Sequence, residues 1–102
     1  MGPVASDDVN LLVVCTANQC RSPLAAAAFR SLATQRDLPI TVDSAGIGAV
    51  VGMPATPPTV EAARKLGLDL TTHTSVPADA ARAAAADLVI GLERRHVQEI
   101  VL

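Results

Sequence analysis

A cysteine and an arginine bracket the run Cys15-Thr16-Ala17-Asn18-Gln19-Cys20-Arg21-Ser22. A thiolate is a soft nucleophile, and a guanidinium is a planar fork that can grip two oxygens of a tetrahedral oxyanion. Together they suit nucleophilic attack on a bound phosphoryl group. The run is preceded by the apolar stretch Leu11-Leu12-Val13-Val14 and followed by Ser22-Pro23, a pair suited to opening a helix. A strand-to-helix junction leaves backbone N–H groups without partners at the positive end of the helix dipole, which is an anion site before any side chain is added. The same field favours an anionic sulfur at Cys15. Ser22 can donate to that sulfur. Asn18 is one of the few non-glycine residues that tolerate positive φ, which a loop curling its amides inward demands.

The elements that must hold this loop follow from patterning. Residues 11–14 read as a parallel strand buried on both faces. Ser22 as N-cap and Pro23 at N1 start a helix to about Thr34, with Leu24, Ala28, Phe29 and Leu32 on one apolar face. Residues 40–42 form a second strand ending in Asp43-Ser44-Ala45-Gly46, and a loop punctuated by glycine and proline spans 46–58. A helix over 58–66 stops at Gly67, Ser75-Val76-Pro77 starts an alanine-rich helix, residues 88–90 form a third buried strand, and 93–101 form a last helix. This alternation predicts an α/β fold, a three-layer α/β/α sandwich on a small parallel sheet, with the Cys-x5-Arg loop after the first strand. Ligands in such sheets bind at the carboxyl ends of strands, where Cys15 lies.

The stretch Val14-Cys15-Thr16-Ala17-Asn18-Gln19-Cys20-Arg21-Ser22-Pro23 resembles the signature of the low-molecular-weight protein tyrosine phosphatases. The likeness continues through Asp43-Ser44-Ala45-Gly46, Gly52-Met53-Pro54-Ala55, Gly67-Leu68-Asp69-Leu70 with His73, and Ala86-Asp87-Leu88-Val89-Ile90. It implies a phosphomonoester hydrolase with Cys15 as nucleophile and Arg21 as phosphate clamp. The phosphate cradle is then Thr16, Ala17, Asn18, Gln19, Cys20, Arg21 and Ser22. Asn18, Ser22, Ser44 and His73 are the implied loop supports, and Cys20 the implied redox partner of the nucleophile. The substrate is expected to be a phosphorylated protein or a small aryl phosphate, with inorganic phosphate as a ligand and no cofactor or metal.

Departures from that pattern set further expectations. The family places its general acid, an aspartate before proline, beyond Leu102, together with a fourth strand and a last helix. Residues 1–102 are therefore expected to be a single domain truncated at the C-terminus, with Ile100-Val101-Leu102 an interrupted element and turnover impaired. Glu93 is the one carboxylate whose position could replace the acid, although an N-cap or first-turn role is commoner. Ala17 stands where the family usually has glycine, which predicts local strain. Residues 47–53 offer Val50 and Val51 but no aromatic to pack on a substrate ring; Phe29 is the single aromatic.

Composition bounds the rest. With 102 residues, half of them apolar, the chain is one domain and outside the disordered class. A net charge of −2 gives no basic field for nucleic acid, and no apolar run reaches the roughly 18 residues that span a membrane. Met1-Gly2-Pro3-Val4-Ala5-Ser6 fits a myristoylation pattern of low specificity, and residues 1–8 read as a frayed terminus. Seven arginines against one lysine, Lys65, beside abundant alanine fit a bacterial coding bias. Two cysteines so close cannot staple a domain and point to a reducing cytoplasm. Cys15, Cys20, His73 and His96 are not spaced as a zinc site, and His96 reads as solvated surface. Two other functions compete with hydrolysis: a phosphate- or phosphoprotein-binding module without turnover, and an arsenate reductase, which needs thiols beyond Cys20 that the sequence lacks.

Overall fold

A computed structural model describes residues 8–101, without the side chain of Val101. The myristoylation pattern, all of the expected frayed terminus but Asp8, and Leu102 lie outside the described residues. Three strands, β1 (Val9–Cys15), β2 (Ile40–Gly46) and β3 (Leu88–Gly91), form a parallel sheet in the order β2-β1-β3. The central β1 is the apolar run seen in the sequence, and its register aligns Cys15 with Gly46 and Val14 with Gly91. The chain thus leaves β1 at a point where the sheet order switches sides, the geometry that opens a crevice at strand carboxyl ends.

Alternation on β1 divides the molecule into layers. Val13 and Val42 face Ala26 of α1 (Arg21–Gln35), while Leu12, Val14 and Ala45 face Val76, Ala78, Ala86 and Ile100 on the other side. Ala27 also meets Ala63 of α2 (Pro57–Lys65) together with Ala55 and Leu70. The expected three-layer arrangement stands, with small residues setting close helix–sheet spacing.

Several elements differ from the sequence reading. α1 opens at Arg21, so Ser22 is inside its first turn and is no N-cap; no side chain caps this helix. Pro23 fits there because first-turn N–H groups have no intrahelical acceptor. The buried face of α1 is Ala26, Ala27 and Ala33, and Phe29 and Leu32 remain 39% and 46% exposed. Ser75-Val76-Pro77 is not helical. Its N–H groups are committed elsewhere, Ser75 to the Met53 carbonyl and Val76 to Asn18, and Pro77 bridges Gly46. The helix α3 begins at Ala80 (Ala80–Ala85), where Asp79 accepts from the Arg82 N–H. β3 is an edge strand only partly buried, with Leu88 53% exposed, and among the described residues no further strand pairs with its outer edge. Gly67 ends α2 with φ of 76°, as its position suggested. α4 covers Arg94–Val101.

Candidate active site

Cys15 ends β1 with its side chain buried, and the chain then curls over it before α1 begins. The Ser22 hydroxyl lies 2.9 Å from Cys15 Sγ, and the Asn18 N–H donates to the sulfur at 3.3 Å. Ser22 faces the sulfur because helix geometry turns the second residue of α1 back over the loop. Asn18 has φ of 58°, the left-handed conformation anticipated for it, and is fully buried. Its Nδ2 donates to Ser22 Oγ at 2.8 Å and Ser44 Oγ at 2.9 Å, and its Oδ1 accepts from the Val76 N–H at 2.9 Å. The His73 Nε2–H donates to the Asn18 carbonyl at 2.7 Å. One buried amide therefore links the loop to β2, to the 70–78 segment and to the serine on the sulfur. The structure brings Asn18, Ser22, Ser44 and His73 together as a single bonded set.

Packing enforces the same curl. A Cβ at Gly46 would lie 2.5 Å from the Thr16 carbonyl oxygen and 2.8 Å from the Asn18 nitrogen. Only glycine lets β2 end beneath the loop, where Ile47 and Gly48 donate to the Cys15 and Thr16 carbonyls. Ala17 is not among the left-handed residues, so the strain expected of it is absent. Gln19 is anchored outside, its side-chain amide donating to Pro54 O and its carbonyl accepting from the Thr56 N–H. Cys20 is exposed, Cys15 buried, and both thiols are free. Val50 and Val51 are exposed in the loop before α2, as a wall without aromatics.

Arg21 donates to Glu93 Oε1 at 2.8 Å, and Arg95 donates to Glu93 Oε2 at 2.8 Å. These two guanidiniums, Arg95 first, hold the Glu93 carboxyl down at about 2. A carboxylate held that low is ionised near neutral pH and carries no proton to donate, and its bond to Arg21 keeps that guanidinium beside the loop. His96 is also corrected. It is fully buried, not solvated, with Nδ1 accepting from the Glu93 N–H at 3.0 Å and Nε2 3.1 Å from Thr16 Oγ1. Burial pushes its pKa down. Sequence reasoning missed His96 and Arg95. The available signal was their place just after β3, at the same sheet end as Cys15.

A cavity of about 530 Å³ includes Asn10, Arg30, Asp43, Ser44, His73 and Arg82 in its lining, and none of residues 15–22. It touches the loop's supports from behind. The candidate site is instead the loop itself, which carries the Cys15 thiol and leads into the Arg21 guanidinium at the start of α1. Among the described residues no group of three or more His, Cys, Asp or Glu side chains could hold a metal ion, and no helix is long and apolar enough to cross a membrane.

Comparison with known proteins agrees with this geometry. The family model described as low molecular weight phosphotyrosine protein phosphatase matches residues 10–102. A Ralstonia nicotianae protein named "Probable low molecular weight protein-tyrosine-phosphatase EpsP" is 40% identical over 88% of this chain and 59% of its own length. The protein-arginine-phosphatase of Bacillus subtilis is 39% identical over 90% of this chain and 61% of its own length. The crystal structure of a low molecular weight protein tyrosine phosphatase from T. tengcongensis superposes with a TM-score of 0.88 at 32% identity, covering 92% of this chain and 65% of that one. The chain thus spans about 60% of the length of these curated relatives.

Proposed function

This chain belongs to the low molecular weight phosphotyrosine protein phosphatase family, and on that premise we propose that it hydrolyses phosphate monoesters through a phosphocysteine on Cys15. The observation that carries the reading is Cys15 Sγ, seated under the loop with Ser22 Oγ at 2.9 Å and the Arg21-led helix start beside it. Cys15 Sγ attacks phosphorus; the S–P bond forms, the ester P–O bond breaks, and the leaving oxygen departs as an anion or takes a proton. Water then attacks phosphorus, the S–P bond breaks, and a proton passes to solvent. The Ser22 hydroxyl stabilises the sulfur as it leaves, while the amides of residues 16–22 and Arg21 carry the charge on the equatorial oxygens. Cys20 is the partner thiol when a peroxide, itself reduced to water, takes two electrons and two protons from the pair and leaves a Cys15–Cys20 disulfide that a thiol reductant reverses. Two free thiols suit a reducing cytoplasm.

The substrate is a phosphorylated protein or an aryl phosphate. A phosphoarginine protein is a second reading. It is favoured by the near-equal identity to a tyrosine and an arginine phosphatase and by the absence of an aromatic in the 47–53 wall. The test is turnover of p-nitrophenyl phosphate, a phosphotyrosine peptide and a phosphoarginine peptide by the 102-residue chain and by Cys15→Ser. The expected result is release from at least one substrate, strongest with the good p-nitrophenolate leaving group, and none with Cys15→Ser. Tight phosphate binding with no turnover of any substrate would replace the enzyme with a binding module.

A further inference from the structure

We propose that the Thr16 side chain is a further substrate-binding group, a hydroxyl preset by His96 and Arg95 to donate its proton to an oxyanion held in the phosphate loop. The inference deepens the phosphatase reading and rests on it. It follows from counting donors around one oxygen.

The backbone N–H of Glu93 donates to His96 Nδ1 at 3.0 Å. A nitrogen that accepts carries no proton, so in the neutral ring the proton is on Nε2. Burial of His96 favours that neutral form. Nε2 lies 3.1 Å from Thr16 Oγ1, and the direction of this bond is therefore fixed: the imidazole donates and the hydroxyl accepts. Arg95 donates to the same oxygen at 2.7 Å, and a guanidinium has no acceptor to offer. Two donors occupy both lone pairs of Thr16 Oγ1. Its own O–H can then only donate, and no acceptor among the described residues stands opposite it.

The placement says what the acceptor should be. Thr16 directly follows the nucleophile, and its hydroxyl is joined through Arg95 and Glu93 to Arg21. Its backbone is held by Gly48 and the closely packed Gly46, so the side chain has little freedom to turn away. An unpaired donor at the rim of an anion cradle, with two guanidiniums nearby, suits a phosphoryl oxygen. His96 and Arg95 do not touch the substrate in this scheme; they are positioning residues.

Two measurements test it. Histidine ¹⁵N NMR on the unaltered chain reads the tautomer directly. A protonated Nε2 with a bare Nδ1 on His96 is expected; the opposite tautomer would make Thr16 the donor to His96 and overturn the inference. Inorganic phosphate is then titrated as protection of Cys15 from iodoacetamide. Thr16→Val, which keeps the shape and removes the hydroxyl, should weaken protection about 10-fold or more, the scale of a hydrogen bond to a charged acceptor. Thr16→Ser should stay within about twofold of the parent on the same reasoning. Equal protection in Thr16→Val and the parent refutes the role while leaving the phosphatase reading intact. Absence of phosphate protection in the unaltered chain overturns both. If Thr16→Val does not fold, the tautomer on the native chain decides.

Discussion

The carboxyl end of the sheet and the flank of α1 are built from opposite materials. At the sheet end polar side chains are buried beside apolar ones: Asn18, Ser22, Ser44 and His96, with no buried side-chain nitrogen or oxygen left unpaired among the described residues. The spacing there is set by Gly46 and by alanines. On the flank, Phe29, Leu32 and Leu38 are large, apolar and more than a third exposed. Hydrogen bonds are directional and dispersion is not, so the first region admits one arrangement and the second tolerates many. The difference teaches where this fold concentrates its directional bonds: in the loop that follows β1. The flank contributes area without geometry.

The sharpest way to break the comparison is to remove equal volume from each region. Leu12→Ala, behind the loop and only 3% exposed, should cost about 2–5 kcal/mol of unfolding free energy. Leu32→Ala, at 46% exposure, should stay below about 1 kcal/mol. Equal losses by urea denaturation would show that the flank packs as tightly as the core.

Adding one carbon should matter more to function than to folding. Gly46→Ala drives a Cβ into the Thr16 carbonyl and the Asn18 nitrogen, both backbone atoms that cannot swing aside. The expected cost is about 1–3 kcal/mol of stability, in line with other overpacked sites. Phosphate should also lose its protection of Cys15 from alkylation. Retained protection would mean the loop can shift and still cradle an anion.

The smallest expected effects are in pH. The unfolded His96 ring ionises near 6.5, and the folded one below that because it is buried. Between those values the unfolded chain binds more protons, so stability is complete above about 6.5 and falls as the pH drops through the window beneath. The charges facing the ring are Glu93, which opposes the shift, and Arg95 and Arg21, which add to it, so the slope keeps its sign. Glu93 acts lower still. Its contribution is complete above about 4.5 and is lost as the pH falls toward about 2. Because Glu93 is exposed, salt should shrink that second loss. Melting temperatures of His96→Asn and Glu93→Gln against the parent should show the upper and lower slopes flattened, respectively. A parent whose melting is level from pH 7 to 3 would contradict both.

Much of the site was legible because its signals are local. Val13 and Val14 are apolar enough to require burial on both faces, Cys15 to Ser22 carry their own chemistry, and Asn18 declares a left-handed turn by its residue type. The same holds for Gly67 after α2 and for the alternation that set the layers. Tertiary structure decided what depended on neighbours far along the chain. Ser22 leaves the cap position because Cys15 Sγ is within reach, and Ser75-Val76-Pro77 stays extended because Asn18 and Met53 take its N–H groups. Glu93, free in sequence to be an acid or a cap, is held ionised between Arg21 and Arg95. His96 reads as surface beside two arginines, yet is buried with its Nε2 3.1 Å from the hydroxyl of Thr16, eighty residues earlier. Sequence determines what a residue can donate or accept; only the fold determines which partner stands at hydrogen-bond distance.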